Sequence, residues 1–126
     1  MTARAVREVA QLIRFGWVGV LATLIHLGVA AILIYSPLNW HVVTVNVVAF
    51  MVAFQVSFWG HRYFTFRRPG HMRRFLVAAL LGMLIHNILL IVIYKIGWFG
   101  EWLSILLAMA VAPIVVYLLS RFWVFR

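Results

Sequence analysis

Two stretches of the chain place aromatic side chains between two arginines, and each follows a long apolar run. They are Arg62-Tyr63-Phe64-Thr65-Phe66-Arg67 and Arg121-Phe122-Trp123-Val124-Phe125-Arg126. A guanidinium grips phosphate oxygens bidentately, whereas aromatic rings with snorkelling arginines also anchor a helix at the headgroup layer. The hexapeptides therefore allow two interpretations, a lipid-phosphate site and an interfacial anchor, and one arginine can serve both.

Each interpretation identifies a definite set of residues. The candidate phosphate-binding residues are Arg14, Arg62, Arg67, Arg74, Arg121 and Arg126. The candidate interface aromatics are Tyr63, Phe64, Phe66, Phe122, Trp123 and Phe125.

Histidines occur inside two of the apolar runs. His26 follows Arg14 by twelve residues, and His86 follows Arg74 by twelve. At a rise of 1.5 Å per residue, each lies ~18 Å from its arginine, a little beyond the middle of the bilayer. Ionisable residues at that depth commonly mark a transport path, and imidazole titrates near neutral pH. The candidate sugar pathway consists of His26, Asn46, Gln55, His86 and Asn87.

The polar residues also have a purely structural interpretation. Such side chains can form hydrogen bonds between helices, at about 0.6 kcal/mol each. The sequence leaves this alternative open, most of all for Asn46, Gln55 and Asn87.

Several classes of catalytic site lack their residues in this sequence. It contains no G-x-x-x-x-G-K-[ST] motif for ATP binding, no Asp and no Cys. Glu8 and Glu101 are the only carboxylates, and the spans predicted below place them on opposite sides, so they cannot form a catalytic pair. We therefore expect no enzymatic activity, no metal site and no cofactor.

The composition predicts a membrane protein. Of 126 residues, 67% are hydrophobic and 10% are charged, which is too little charge to cover a soluble domain. A helix needs ~20 apolar residues to cross the hydrocarbon, and four segments meet this requirement. The predicted fold is an all-α membrane protein with four transmembrane helices, at about residues 15–35, 42–60, 75–94 and 102–120.

The positive charges predict the orientation. All ten arginines fall on one side of the four predicted spans, and Lys95 lies on the other. The positive-inside rule therefore places both termini in the cytoplasm. For the basic arm before Arg14, the pattern allows an interfacial helix or a frayed tail.

The sequence also contains an internal repeat. Arg14-Phe15 and Leu24-Ile25-His26 recur as Arg74-Phe75 and Leu84-Ile85-His86 at an offset of 60, and the hexapeptides recur at an offset of 59. Two spans per half would make the repeats parallel, about a pseudo-two-fold axis along the membrane normal. We expect one domain, 1–126, with repeat one at 14–67 and repeat two at 74–126.

Three motifs resemble those of the GtrA-like family of small bacterial membrane proteins. They are Arg14-Phe15-Gly16-x-Val18-Gly19, Asn46-x-x-Ala49-Phe50 and the stretch from Ser57 to Phe66. In the last, His61 stands where the family usually has Asn, and Phe64 stands where it has Trp. Arg62 and Phe66 match the family pattern.

The resemblance implies a role in moving polyprenyl-phosphate-linked sugars, such as those carried on undecaprenyl phosphate, across the bacterial cytoplasmic membrane for cell-surface polysaccharide synthesis. The expected partners are the lipid-linked sugar, the membrane and a second copy of the chain. The alternative is a non-transporting anchor that recruits a glycosyltransferase. Nucleic-acid binding is not expected, because the basic residues lie at the ends of apolar runs.

Overall fold

The computed structural model describes residues 2–126, apart from the side chains at positions 101 and 102. The described chain is entirely helical outside its loops. Its elements are α1 (Ala3–Ile34), α2 (Val42–Gly60), α3 (Met72–Ile96) and α4 (Glu101–Leu119), with a first π-turn (His61–Thr65) and a second π-turn (Ser120–Val124). Four helical segments are long and apolar enough to cross a membrane, which confirms the predicted class of fold.

The N-terminal arm is part of α1. The helix begins at Ala3, with the Thr2 hydroxyl accepting a hydrogen bond from the backbone N–H of Ala5. Arg4 pairs with Glu8 one turn later, at 3.3 Å. The arm is therefore helical, so the prediction of a frayed tail is wrong, and its position in the membrane interface stays a prediction. The 32 residues of α1 give a length of ~48 Å, well beyond the ~30 Å of hydrocarbon.

The chain divides into two compact units, residues 1–68 and 69–126. In the first unit, α1 packs against α2 and the first π-turn; in the second, α3 packs against α4 and the second π-turn. Small buried residues let each pair of helices approach closely. These residues are Ala49 and Ala53 in the first unit, and Ala78, Gly82, Ser104 and Ala108 in the second.

Each unit ends its second helix in the same way. The backbone N–H of Phe66 donates to the carbonyl of His61 at 2.8 Å, and that of Phe125 donates to the carbonyl of Ser120 at 2.9 Å. Both bonds reach back five residues instead of the four of an α-helix, so both turns are π-helical. The two repeated hexapeptides thus adopt one rare backbone conformation, which occurs frequently at functional sites.

Candidate lipid-phosphate site

The first π-turn is fixed by a buried histidine. The His61 ring stacks on Phe15 of α1, with ring centroids 4.5 Å apart and planes 14° from parallel. Its Nδ1 lies 3.0 Å from the Thr65 hydroxyl, in a buried hydrogen bond. Phe66 completes the cluster, 6.4 Å from the Phe15 ring. The end of α2 is thereby held against α1 at the level of Phe15.

Aromatic packing also holds the second π-turn. Phe125 lies 6.1 Å from Phe75 of α3, between ring centroids. Phe125 also packs against the backbone of Gly70, where an added Cβ would lie 2.4 Å from the Phe125 ring. Only glycine allows this approach, so the loop before α3 closes over the turn.

Two of the six predicted interface aromatics face inward. Phe66 and Phe125 are buried within their units, at 8% and 1% exposure. An interfacial anchor must reach the headgroups, so these two residues stabilise the turns instead. The other four remain exposed: Tyr63, Phe64, Phe122 and Trp123.

Four of the six predicted arginines lie over aromatic rings next to the π-turns. Arg14 lies 5.8 Å from the Phe64 ring centroid, and Arg74 lies 5.8 Å from that of Trp123. These two contacts occupy corresponding positions in the two repeats. Such cation–π contacts hold a guanidinium in place without using a hydrogen-bond acceptor.

The arginines inside the turns also lie over rings. Arg62 lies 5.4 Å from Trp59 and 5.5 Å from Tyr63, and these two rings stack with their planes 9° from parallel. Arg121 lies 5.3 Å from Phe122. Each unit thus presents two arginines and exposed aromatics beside its π-turn.

The remaining two predicted arginines are exposed and follow the turns. Arg67 has a left-handed backbone, with φ at 53°, and Arg126 is the last residue of the chain. Within the described residues, neither of them lies over an aromatic ring.

Two arginines of the second unit also donate hydrogen bonds. Arg74 Nη1 donates to the carbonyl of Trp123 at 3.3 Å, and Arg121 Nη1 donates to the Tyr117 hydroxyl at 3.2 Å. A wide, open cavity of about 470 Å³ lies at the start of α3, lined by His71, Met72, Arg73 and Arg74.

The structure brings two of the predicted sugar-pathway residues together. His26 Nε2 donates to Asn46 Oδ1 at 3.2 Å, which joins α1 to α2 inside the first unit. Asn87 instead donates to the carbonyl of Met83 in its own helix, at 2.8 Å. His86 and Gln55 are half-buried.

Some residues of this site were missed by the sequence reasoning. Trp59, Gly70 and Tyr117 are not among the residues that the sequence predicted for this site. The aromatic residues on both sides of Arg62 in the sequence could have indicated the contact between Arg62 and Trp59. No signal marked Gly70 or Tyr117, because their roles depend on contacts across each unit.

The comparisons with known proteins agree with this architecture. The model of the family described as "GtrA/DPMS, transmembrane domain" matches residues 14–125. No curated protein and no solved structure matches the chain significantly.

Proposed function

Because the chain belongs to the GtrA/DPMS transmembrane-domain family, we propose that it moves a polyprenyl-phosphate-linked sugar across the bacterial cytoplasmic membrane. The sugar would serve cell-surface polysaccharide synthesis. Family membership ties the chain to lipid-linked sugars, and its four apolar helices make it a multi-pass membrane protein.

The observation that carries the proposal is the repeated arrangement of arginines beside the π-turns. Arg62 and Arg121 lie over aromatic rings at the ends of α2 and α4. Such positions coincide with the depth of a lipid phosphate if each span ends at the headgroup layer. Guanidinium groups that are already positioned lose less side-chain entropy when they bind a phosphate.

The remaining steps use the polar residues of the spans. The sugar passes polar side chains within the units, His26 and Asn46 in the first or His86 and Asn87 in the second, while the prenyl chain stays in lipid. A sugar hydroxyl can replace the bond between His26 and Asn46, so the desolvation of the sugar is partly compensated. Flux is downhill, since consumption of the sugar on the far side removes the product.

Transport is tested with purified protein in liposomes that contain a labelled undecaprenyl-phosphate sugar. We expect the wild-type chain to accelerate exposure of the sugar on the opposite leaflet. An Arg62→Gln/Arg121→Gln double variant should abolish this, and a His26→Leu/His86→Leu variant should reduce it. Arg4→Gln is the control, because Arg4 is an exposed arginine that pairs with Glu8. Wild-type protein that leaves the rate of exposure unchanged would contradict the transport proposal.

One observation favours a second function, the membrane anchor for a glycosyltransferase. The twelve residues of α1 that precede Phe15 expose an apolar stripe, Val6, Val9 and Ile13, beside Arg4 and Arg7. Removal of residues 2–11 would abolish recruitment of such an enzyme to vesicles and leave transport intact. If the wild-type chain recruits but does not transport, the anchor function replaces the first proposal.

A further inference from the structure

The two π-turns have one backbone and different arginine environments. In the aligned turns, Arg62 corresponds to Arg121 at the offset of 59. Arg121 Nη1 donates to the Tyr117 hydroxyl. Arg62 has no such acceptor, because Phe58 stands at the position that corresponds to Tyr117.

The aromatic support also differs between the turns. Arg62 lies over two stacked rings, Trp59 and Tyr63, whereas Arg121 lies over Phe122. The residue that corresponds to Trp59 is Leu118. Arg62 thus lies next to a stacked pair of rings, while Arg121 lies next to the Phe122 ring and donates to the Tyr117 hydroxyl.

The hydrogen-bonding capacity of the two arginines follows from these differences. Arg62 is half-buried, and within the described part of the chain its guanidinium donates no hydrogen bond. Its five N–H donors remain for an acceptor from outside the protein. Arg121 already donates one N–H to the Tyr117 hydroxyl in its own unit. Arg74 donates one N–H to the carbonyl of Trp123.

From these contacts we propose that the two repeats have diverged in function, and that one lipid phosphate binds per chain, at Arg62 of the first unit. Trp59 and Tyr63 are positioning residues that hold the guanidinium. This narrows the phosphate-binding role, proposed above for the arginines of both repeats, to Arg62, and it makes Arg121 a residue that stabilises the fold of the second unit through Tyr117. The inference rests on the proposed function for the identity of the lipid, but the phosphate group is shared with ordinary anionic phospholipids.

The sequence supplies the matched variants. Arg62→Gln and Arg121→Gln remove corresponding charges, and Trp59→Leu gives the first unit the residue of the second. The reverse change, Tyr117→Phe with Leu118→Trp, gives the second unit the residues of the first. Each protein is placed in nanodiscs and titrated with undecaprenyl monophosphate, or with phosphatidylglycerol as the second arm, and stoichiometry is read by native mass spectrometry.

We expect Arg62→Gln to weaken binding of undecaprenyl monophosphate by roughly 10- to 100-fold, because charged hydrogen bonds are lost. Arg121→Gln should change it by less than about twofold, since a charge that does not touch the phosphate is largely screened. Trp59→Leu should weaken binding by about 2- to 30-fold, and Trp59→Phe should recover much of the loss. The Tyr117→Phe/Leu118→Trp variant should bind a second lipid.

Equal losses in Arg62→Gln and Arg121→Gln, or two lipids bound per wild-type chain, would overturn the inference. Thermal unfolding of every variant identifies losses that come from misfolding, and Arg62→Lys replaces Arg62→Gln if that variant does not fold. If the wild-type chain does not prefer undecaprenyl monophosphate over phosphatidylglycerol, the proposed substrate is wrong. In that case, the titrations with phosphatidylglycerol decide whether Arg62→Gln weakens phosphate binding more than Arg121→Gln does.

Discussion

The polar residues inside the π-turns differ between the repeats. In the first, His61 and Thr65 satisfy each other in a buried hydrogen bond. The corresponding residues in the second are Ser120 and Val124, and the buried Ser120 hydroxyl has no partner within the described residues. The turn therefore does not depend on one particular hydrogen bond, and each unit stabilises it by different contacts.

Thr65→Val removes the partner of His61 at nearly constant volume. We expect the free energy of unfolding to fall by about 1–3 kcal/mol, because a buried ring nitrogen loses its hydrogen bond. Thermal unfolding in detergent measures this. The control is Thr23→Val, since the Thr23 hydroxyl donates to the Gly19 carbonyl on an exposed helix surface. Equal stability of the two variants would mean that the His61 bond contributes nothing.

Ser120→Ala should not lower the free energy of unfolding. The buried hydroxyl pays for its desolvation without a hydrogen bond in return, so its removal leaves stability unchanged or raises it. The same unfolding measurement applies. A loss of more than about 1 kcal/mol would show that the hydroxyl has a partner in the membrane.

At the scale of the elements, the sequence predicted α2 and α4 better than α1. Long apolar runs bounded by turns identify the second and fourth helices to within a residue of their bounds at 42–60 and 101–119. The sequence predicted the first span from residue 15 but left the helical start of α1 open, because Arg4, Arg7 and Glu8 end the apolar run although they are good helix formers. The sequence showed the repeated hexapeptides but did not predict that they form π-turns. Residue types alone do not indicate a backbone hydrogen bond to the carbonyl five residues earlier.

Close packing of α3 on α4 depends on Gly82. A Cβ at this position would lie 2.6 Å from Val116 Cγ2 and 3.5 Å from the carbonyl oxygen of Ala112. We expect Gly82→Ala to lower stability by roughly 1–3 kcal/mol, because the helices must separate to admit the methyl group. Thermal unfolding of the variant tests this.

Gly28→Ala is the matched control for Gly82→Ala. It is also a glycine inside a helix, but nothing lies within 4 Å of its added Cβ. Alanine should therefore keep or raise stability there, because it has the higher helix propensity. If both variants are equally stable, the approach of α3 to α4 at Gly82 leaves room for a methyl group, and the prediction is wrong.

For the whole molecule, the sequence predicted the class of fold and the family, and it identified the aromatic and arginine segments that end each unit. It could not separate the roles of Arg62 and Arg121, which look alike in the repeated hexapeptides. Their difference depends on Tyr117 and Trp59, one turn away on each helix. Repeats of similar sequence thus give two units with one backbone plan and different side-chain bonding.

The orientation of the whole chain makes a further prediction, which the absence of cysteine makes direct to test. Single cysteines are placed at Leu38, Trp98 and Pro69, all exposed in the loops. If the arginine-rich segments are cytoplasmic, an impermeant maleimide labels Leu38→Cys and Trp98→Cys in intact spheroplasts, and Pro69→Cys only in inverted vesicles. The wild-type chain is the unlabelled control. Labelling of Leu38→Cys and Trp98→Cys from opposite sides would contradict parallel repeats. In parallel repeats, the loop between α1 and α2 and the loop between α3 and α4 lie on the same side of the membrane.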